Sequence, residues 1–379
     1  MLGRAKDFHL NTLQLNALAG LLENSSSIVT SQETTSVYPT RKLILDGLSS
    51  LSPLAAKHLA KNRGYLSLNG LRSLSDVTAE GLSKHKGYLA LDGLGELSDT
   101  AAAHLANHSE YLSLNGLTEL SYECSKRLGT YRGDYLSLNG LETISDQAAA
   151  NLAIFDRKVL EGRKDIYDMP PEVYSSFTGN LFLNGLKEIS VATAKSLSRI
   201  WKRLGLNGLR ELSEDHARHF TDHTGALYLN GLHSISDGVA EQLSHHKGAA
   251  LFLNGVTSLS ELAVAHLSRY HQGSHLFLNG LGSLPDSLAE SLAQYQGWEL
   301  HLDGITFLSD AAAASLARST TKRMYLNGLK TISDSIADSF SEYGGHLFLS
   351  GDTILSDRAA KKLLSRKGGT TMDKIHSTL

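Results

Sequence analysis

The chain has 379 residues, 41% of them apolar and 20% charged, and a formal net charge of −3. That balance suits a soluble chain long enough for a large core, and it offers no basic field to attract phosphate, so nucleic acid is not an expected partner. The single cysteine, Cys124, excludes an internal disulfide framework and a cysteine-based zinc cage.

The opening stretch, MLGRAKDFHLNTLQLNALAGLLENSS, carries no clean apolar run of signal-peptide or membrane-span length. A cytoplasmic location and no membrane contact are expected. Residues 1–41 read as a degenerate copy, LQLNAL at 13–18, followed by a polar Ser/Thr segment at 23–41. From residue 42 a period takes over. With the residue before each loop glycine as the anchor, copies fall at Asp46, Asn69, Asp92, Asn115, Asn139, Glu161, Asn184, Asn207, Asn230, Asn254, Asn279, Asp303, Asn327 and Ser350, spaced 22 to 25 residues apart. The extra residues fall late in a copy, as in YHQGSHLFL, which marks an exposed loop.

Each constant letter has a physical task. Leu66 and Leu68 alternate with Tyr65, Ser67 and Asn69, the period of a short strand with one buried face. Asn69-Gly70 is expected to turn the chain through positive φ. Leu71 and Leu74 point inward from that turn. Ser75-Asp76 opens a helix, with a hydroxyl for free N–H groups and a carboxylate at the positive end of the dipole. Ala79 and Leu82 share one helical face, and Gly87 ends the copy. Ten residues after the anchor the side chain is small, as in Ala56, Ala102 and Ser125; thirteen after, it is large, as in Leu105, Leu128, Phe220 and Phe340. One such β–turn–α unit cannot bury its own stripe, so the copies must stack.

The words LSLNGLRSLSDVTAEGL resemble the leucine-rich repeat, in its cysteine-containing subclass known from F-box substrate receptors, with pattern L-x-L-x-x-C-x-x-I-T-D-x-x-L-x-x-L. The match runs through Leu66, Leu68, Leu71 in the cysteine's place, Leu74, Ser75-Asp76, Ala79 and Leu82, and covers roughly residues 42–369. The resemblance implies an α/β, right-handed solenoid (a horseshoe) with a parallel β-sheet on the concave face and helices on the convex face. It also implies a usual role in binding other proteins. Two departures stand out: copies are short, and the cysteine position is Leu, Val or Ile in twelve of them. The anchor Asn side chain is then the candidate for satisfying the turn backbone. No F-box helices precede Asp46, so an adaptor role does not carry over.

The array reads as 42–157, an irregular copy at 158–180, a second run at 181–369, and a polar tail at 370–379. In the irregular copy Lys158 and Arg163 stand where Leu packs and Pro170-Pro171 fall in the helix, yet Ile166, Asp168, Tyr174 and Gly179 keep the register.

Function on such a scaffold belongs to the positions the repeat leaves open. Four residues before the anchor stand Tyr65, Tyr88, Tyr111 and Tyr135, beside small residues two before it: Ser67, Ala90, Ser113 and Ser137. Beyond the irregular copy the aromatic moves to two before the anchor: Phe182, Tyr228, Phe252, Phe277, His301, Tyr325 and Phe348. Their partners are Asn180, Ala226, Ala250, His275, Glu299, Arg323 and His346. Strands about 4.8 Å apart would stack these rings into ridges. Exposed, such rows suit recognition; the plainer reading is that they only stabilise the sheet. The changeover hints at two binding zones.

Most of the seventeen histidines do not suggest catalysis. His85, His108, His223 and His246 fall sixteen residues after their anchors, where other copies carry Tyr131, Phe155, Phe177, Tyr270, Tyr295 and Tyr343, so the position asks for a flat ring. His219 and His223 are four apart, a spacing compatible with a metal on one helix face, but His223 is on the ring position. No phosphate-cradling glycine motif and no Ser or Cys nucleophile motif occurs. The expected protein is a non-enzymatic monomer without cofactor or metal, binding another protein through its aromatic concave face. A glycan stacked on the same rings is the alternative.

Overall fold

The computed structural model describes residues 42–131, 133–153, 179–270 and 274–372. The degenerate copy at 1–41, the anchor Glu161 with the rest of 154–178, and residues 373–379 lie outside the described residues. The chain divides between Gly205 and Leu206 into two compact units.

Each unit is a stack of β–α coils. In the first, β1 (Lys42–Ile44), β2 (Arg63–Ser67), β3 (Lys86–Ala90), β4 (Tyr111–Ser113), β5 (Tyr135–Ser137), β6 (Asn180–Phe182) and β7 (Leu204–Gly205) pair in chain order, every pair parallel. In the second, β8 (Leu227–Tyr228), β9 (Ala250–Phe252), β10 (His275–Phe277), β11 (Glu299–His301) and β12 (Arg323–Tyr325) do the same. Two further strands, His346–Leu349 and Thr370–Met372, extend that sheet, the last using the first residues of the expected tail. Thr331–Ile332 and Ile354–Leu355 form a separate parallel ladder in the turns. Register is strict: Tyr65 pairs with Tyr88, Leu66 with Leu89, Ser67 with Ala90, so every repeat position becomes a column. The fold is an α/β leucine-rich-repeat solenoid.

The thirteen helices of the described residues are seven or eight residues long, too short to persist alone. Each is held by its packed face and by its cap. Ala79, Leu82, Leu66, Leu68 and Leu71 are all completely buried, as are Phe220 and Phe340 in the large-residue column. The column of Leu74 is only half-buried in most coils, because it sits where the turn meets the helix; Leu284, Leu308 and Ile332 are its buried members. A serine precedes twelve of the thirteen helices and accepts from the N–H three residues on, Ser121 from Cys124 at 2.9 Å, for example. Pro285 is the exception and makes no side-chain cap.

Two turn expectations resolve differently. The Asn-Gly glycines do not use left-handed backbone; among the described residues the glycines with positive φ are those entering strands, such as Gly64 (119°) and Gly87 (125°). Gly70 is needed for closeness instead. A Cβ there would lie 2.1 Å from the Asp46 carbonyl oxygen of the preceding coil. The anchor side chain does satisfy the turn backbone, but across coils. Oδ1 of Asp46 accepts from the Asn69 N–H at 2.9 Å, Asn69 from Asp92 at 2.8 Å and Asp92 from Asn115 at 2.8 Å. In the second unit the ladder runs from Asn207 to Asn230, Asn254, Asn279, Asp303 and Asn327. A carbonyl or carboxylate oxygen serves equally, which is why Asn and Asp interchange at the anchor.

Candidate functional site

All eleven rings of the two aromatic series are half-buried on the strand face of their units. In the first unit Tyr65, Tyr88, Tyr111 and Tyr135 stack at centroid spacings of 4.8, 5.7 and 4.7 Å. Ser67, Ala90 and Ser113 beside them are buried to 1% exposure. The changeover is not a break: Tyr135 stacks on Phe182 at 5.0 Å and 8°. Although Tyr135 and Phe182 leave the backbone from different columns, Tyr135 pairing with Asn180 and Ser137 with Phe182, their rings share one file. The changeover between ring positions thus leaves the stack itself unbroken. The tyrosines lean over small neighbours, whereas Phe182 rises directly from the column of those neighbours.

In the second unit the file is tighter. Tyr228, Phe252, Phe277, His301, Tyr325 and Phe348 stack at 4.0, 4.0, 3.9, 3.9 and 4.2 Å, within 16° of parallel. Faces meet faces, and the edges are left outward. Beside this file lies a polar hub. Glu299 is 9% exposed; its Oε2 accepts from His275 Nδ1 at 2.8 Å and from His301 Nε2 at 3.2 Å, and its Oε1 from Arg323 Nη1 at 2.8 Å. The Tyr325 hydroxyl adds a longer contact of 3.4 Å. Burial pushes the Glu299 carboxyl up, but hydrogen bonds from His275, His301 and Arg323 outweigh it and hold the group below the usual carboxylate range. An ionised carboxylate only accepts, so both histidines present N–H to it. The sequence places His275, Glu299 and Arg323 in one column but does not show this convergence; opposite charges at one repeat position in consecutive copies are the signal that could have found it.

The other conspicuous residues serve the stack. Nε2 of His108 lies 3.0 Å from the Gly87 carbonyl and 3.1 Å from that of Tyr111, while the Tyr131 hydroxyl donates to Glu110 at 2.7 Å and Tyr135 at 3.1 Å. Tyr295 and Tyr343 donate likewise to Ser274 and Thr321 of the preceding coil. Where this column carries His108, Tyr131, Tyr295 or Tyr343, the polar tip of the ring reaches a backbone carbonyl; Ile200 and Ser319 fill it in other coils, both buried. Phe155 and Phe177 lie outside the described residues. Burial, then the charge of neighbouring His85, lowers His108 to about 4. The helix carrying His219 ends at Phe220, so His223 is beyond it and buried. Among the described residues no group of three His, Cys, Asp or Glu is arranged to hold a metal. Burial, then Asp99, pushes the Cys124 thiol up to about 12, which removes a thiolate nucleophile. No helix of the described residues is long and apolar enough to cross a membrane.

No family model and no curated protein sequence matches the chain. Among solved structures it is similar to an internalin (inlF) from Listeria monocytogenes str. 4b F2365, at 17% identity and TM-score 0.49, over 96% of this chain and 95% of that one. The structure of the Rad7 and Elc1 complex in yeast matches at 13% identity and TM-score 0.45, over 95% and 91%. The Toll–Spatzle complex of Drosophila matches at 14% and 0.48, over 86% of this chain and 40% of that one. The fold assignment rests on the coils of this chain itself.

Proposed function

We propose that the protein is a non-catalytic scaffold that binds another protein through the ring files of its strand face. The observation that carries this reading is the burial of the rings. Each keeps some exposure to solvent, down to 12% for the His301 side chain, although stacking has already used its faces. Half-buried aromatic edges beside a polar strip resemble the anchors of protein interfaces, which favour Tyr, Phe and Arg. A sugar needs an open ring face, and Phe252, Phe277, His301 and Tyr325 have neighbours on both faces at 3.9–4.2 Å, which counts against the glycan reading.

Phe252→Ser and Phe277→Ser test the site. Proteins captured by the intact chain from native cell extract, identified by mass spectrometry, should be lost from both variants while the helical circular dichroism is retained. Retention of the same captured proteins by the double variant overturns the reading. A glycan array run alongside should be blank.

A further inference from the structure

The polar hub of the second unit has a one-sided chemistry. Both oxygens of Glu299 are consumed from within, and its side chain is 12% exposed. The open positive charge around it is on Arg323 and Lys322, whereas a neutral His275 that donates Nδ1–H leaves an acceptor nitrogen outward. Arg323 is 48% exposed in its side chain; it spends Nη1 on Glu299 and also meets the Tyr325 hydroxyl, with part of its five-donor fork open to solvent. His275 spends Nδ1 on Glu299 and is 33% exposed, and His346 spends Nε2 on Thr371 at 2.7 Å. Lys322, next to Arg323, is exposed. The nearby carboxylate on the other flank of the ring file, Asp303, is engaged by the Asn327 backbone at 3.0 Å and side-chain amide at 2.9 Å, with His301 Nδ1 4.0 Å from its second oxygen.

We infer that this strip is the specificity-determining part of the binding face, and that it selects a peptide segment placing an Asp or Glu carboxylate on Arg323 beside an apolar side chain on the Phe277–Tyr325 ring edges. The inference rests on the protein-binding reading above and names the partner's chemistry. A guanidinium already held on one side by a buried carboxylate is oriented before binding, so less freedom is lost when its open edge meets a second acid. Glu299 is thus a positioning residue, and the contact itself belongs to Arg323.

The experiment is selection of a displayed library of random linear peptides on the full chain, on Arg323→Gln and on Phe277→Ser. Sequences selected by the intact chain should carry Asp or Glu beside Phe, Tyr, Leu or Met. The best of them is then synthesised with its acid and with the matching Asn or Gln amide. The amide should bind the intact chain about tenfold or more weaker, the scale of a charge-assisted hydrogen bond. On Arg323→Gln the acid and amide peptides should bind alike. Selected peptides without acidic bias, or an amide penalty that persists on Arg323→Gln, overturn this inference and leave the protein-binding face standing. Failure to select any peptide that Phe277→Ser loses removes both.

Discussion

A histidine buried without a carboxylate partner is a liability in acid. His85 and His108 lie fully buried in the first unit, their rings parallel within 3° and 6.1 Å apart. Burial holds both below the usual range for histidine, His108 at about 4. The unfolded chain takes up a proton on each near pH 6.5, the folded chain only lower. The folded state is therefore at full strength above about 6.5, and His108 withdraws stability as the pH falls from there toward 4, in total about 3 kcal/mol. Denaturation midpoints measured from pH 7.5 down to 4.5 should drop through this window. Gln at both positions keeps a donor for the preceding coil's carbonyl but not the titration, so it should flatten the slope even where it lowers the value at pH 7.5. A slope unchanged in that variant would assign the acid sensitivity to other groups. Coils with Tyr295 or Tyr343 in this column make the same contact with a group that stays neutral, since burial raises both.

At the scale of one helix, the Ser-Asp pair has two tasks, only one of which the sequence displays. The cap within the helix is a local pattern and was readable: Ser121 accepts from the Cys124 N–H. The second task joins coils. Ser121 Oγ also donates to Asp99 Oδ1 at 2.9 Å, Ser98 to Asp76, and Ser333 to Asp310, so these three serines tie their helix starts to the one before. That bond spans 22 or 23 residues and becomes visible only when the stack sets the register. Ser121→Ala removes both contacts and should cost about 1–2 kcal/mol by chemical denaturation, more than a cap alone in a peptide, whereas Ser121→Thr should restore most of it. An alanine cost below a few tenths of a kcal/mol would mean solvent replaces both bonds. The same distinction explains what else was legible. Strand alternation, the small and large helix columns and the repeat positions of the eleven rings follow from a period of about 23. The anchor ladder, the need for Gly70 at close range, and the continuity of Tyr135 with Phe182 depend on contacts between coils, and side-chain lean across columns leaves no trace in the letters.

Over a whole unit, stability in such a stack is the sum of what each coil does for itself and what it does for its neighbours. The ring file of the second unit lets these be separated, because each ring meets only those before and after it. Phe252 and Phe277 stack at 4.0 Å. Phe252 and Tyr325 stand three strands apart, about 14 Å. Leucine at Phe252 and Phe277 removes rings while keeping an apolar side chain, so a double-mutant cycle on this pair isolates the stack. Its coupling should be about 1 kcal/mol, the range of an aromatic pair beyond its buried area. The cycle on Phe252 and Tyr325 should close to within about 0.5 kcal/mol, the additivity of distant sites. Both cycles need only denaturant midpoints and slopes from the four corners. If the distant pair couples as strongly as the adjacent one, the rings belong to one cooperative body whose strain is shared across coils, and a substitution at Phe277 would disturb the face at Arg323 as well as under its own ring. If only neighbours couple, each ring position can vary almost alone. A strand face built that way can change the chemistry it presents one coil at a time while the buried leucines beneath it stay in place.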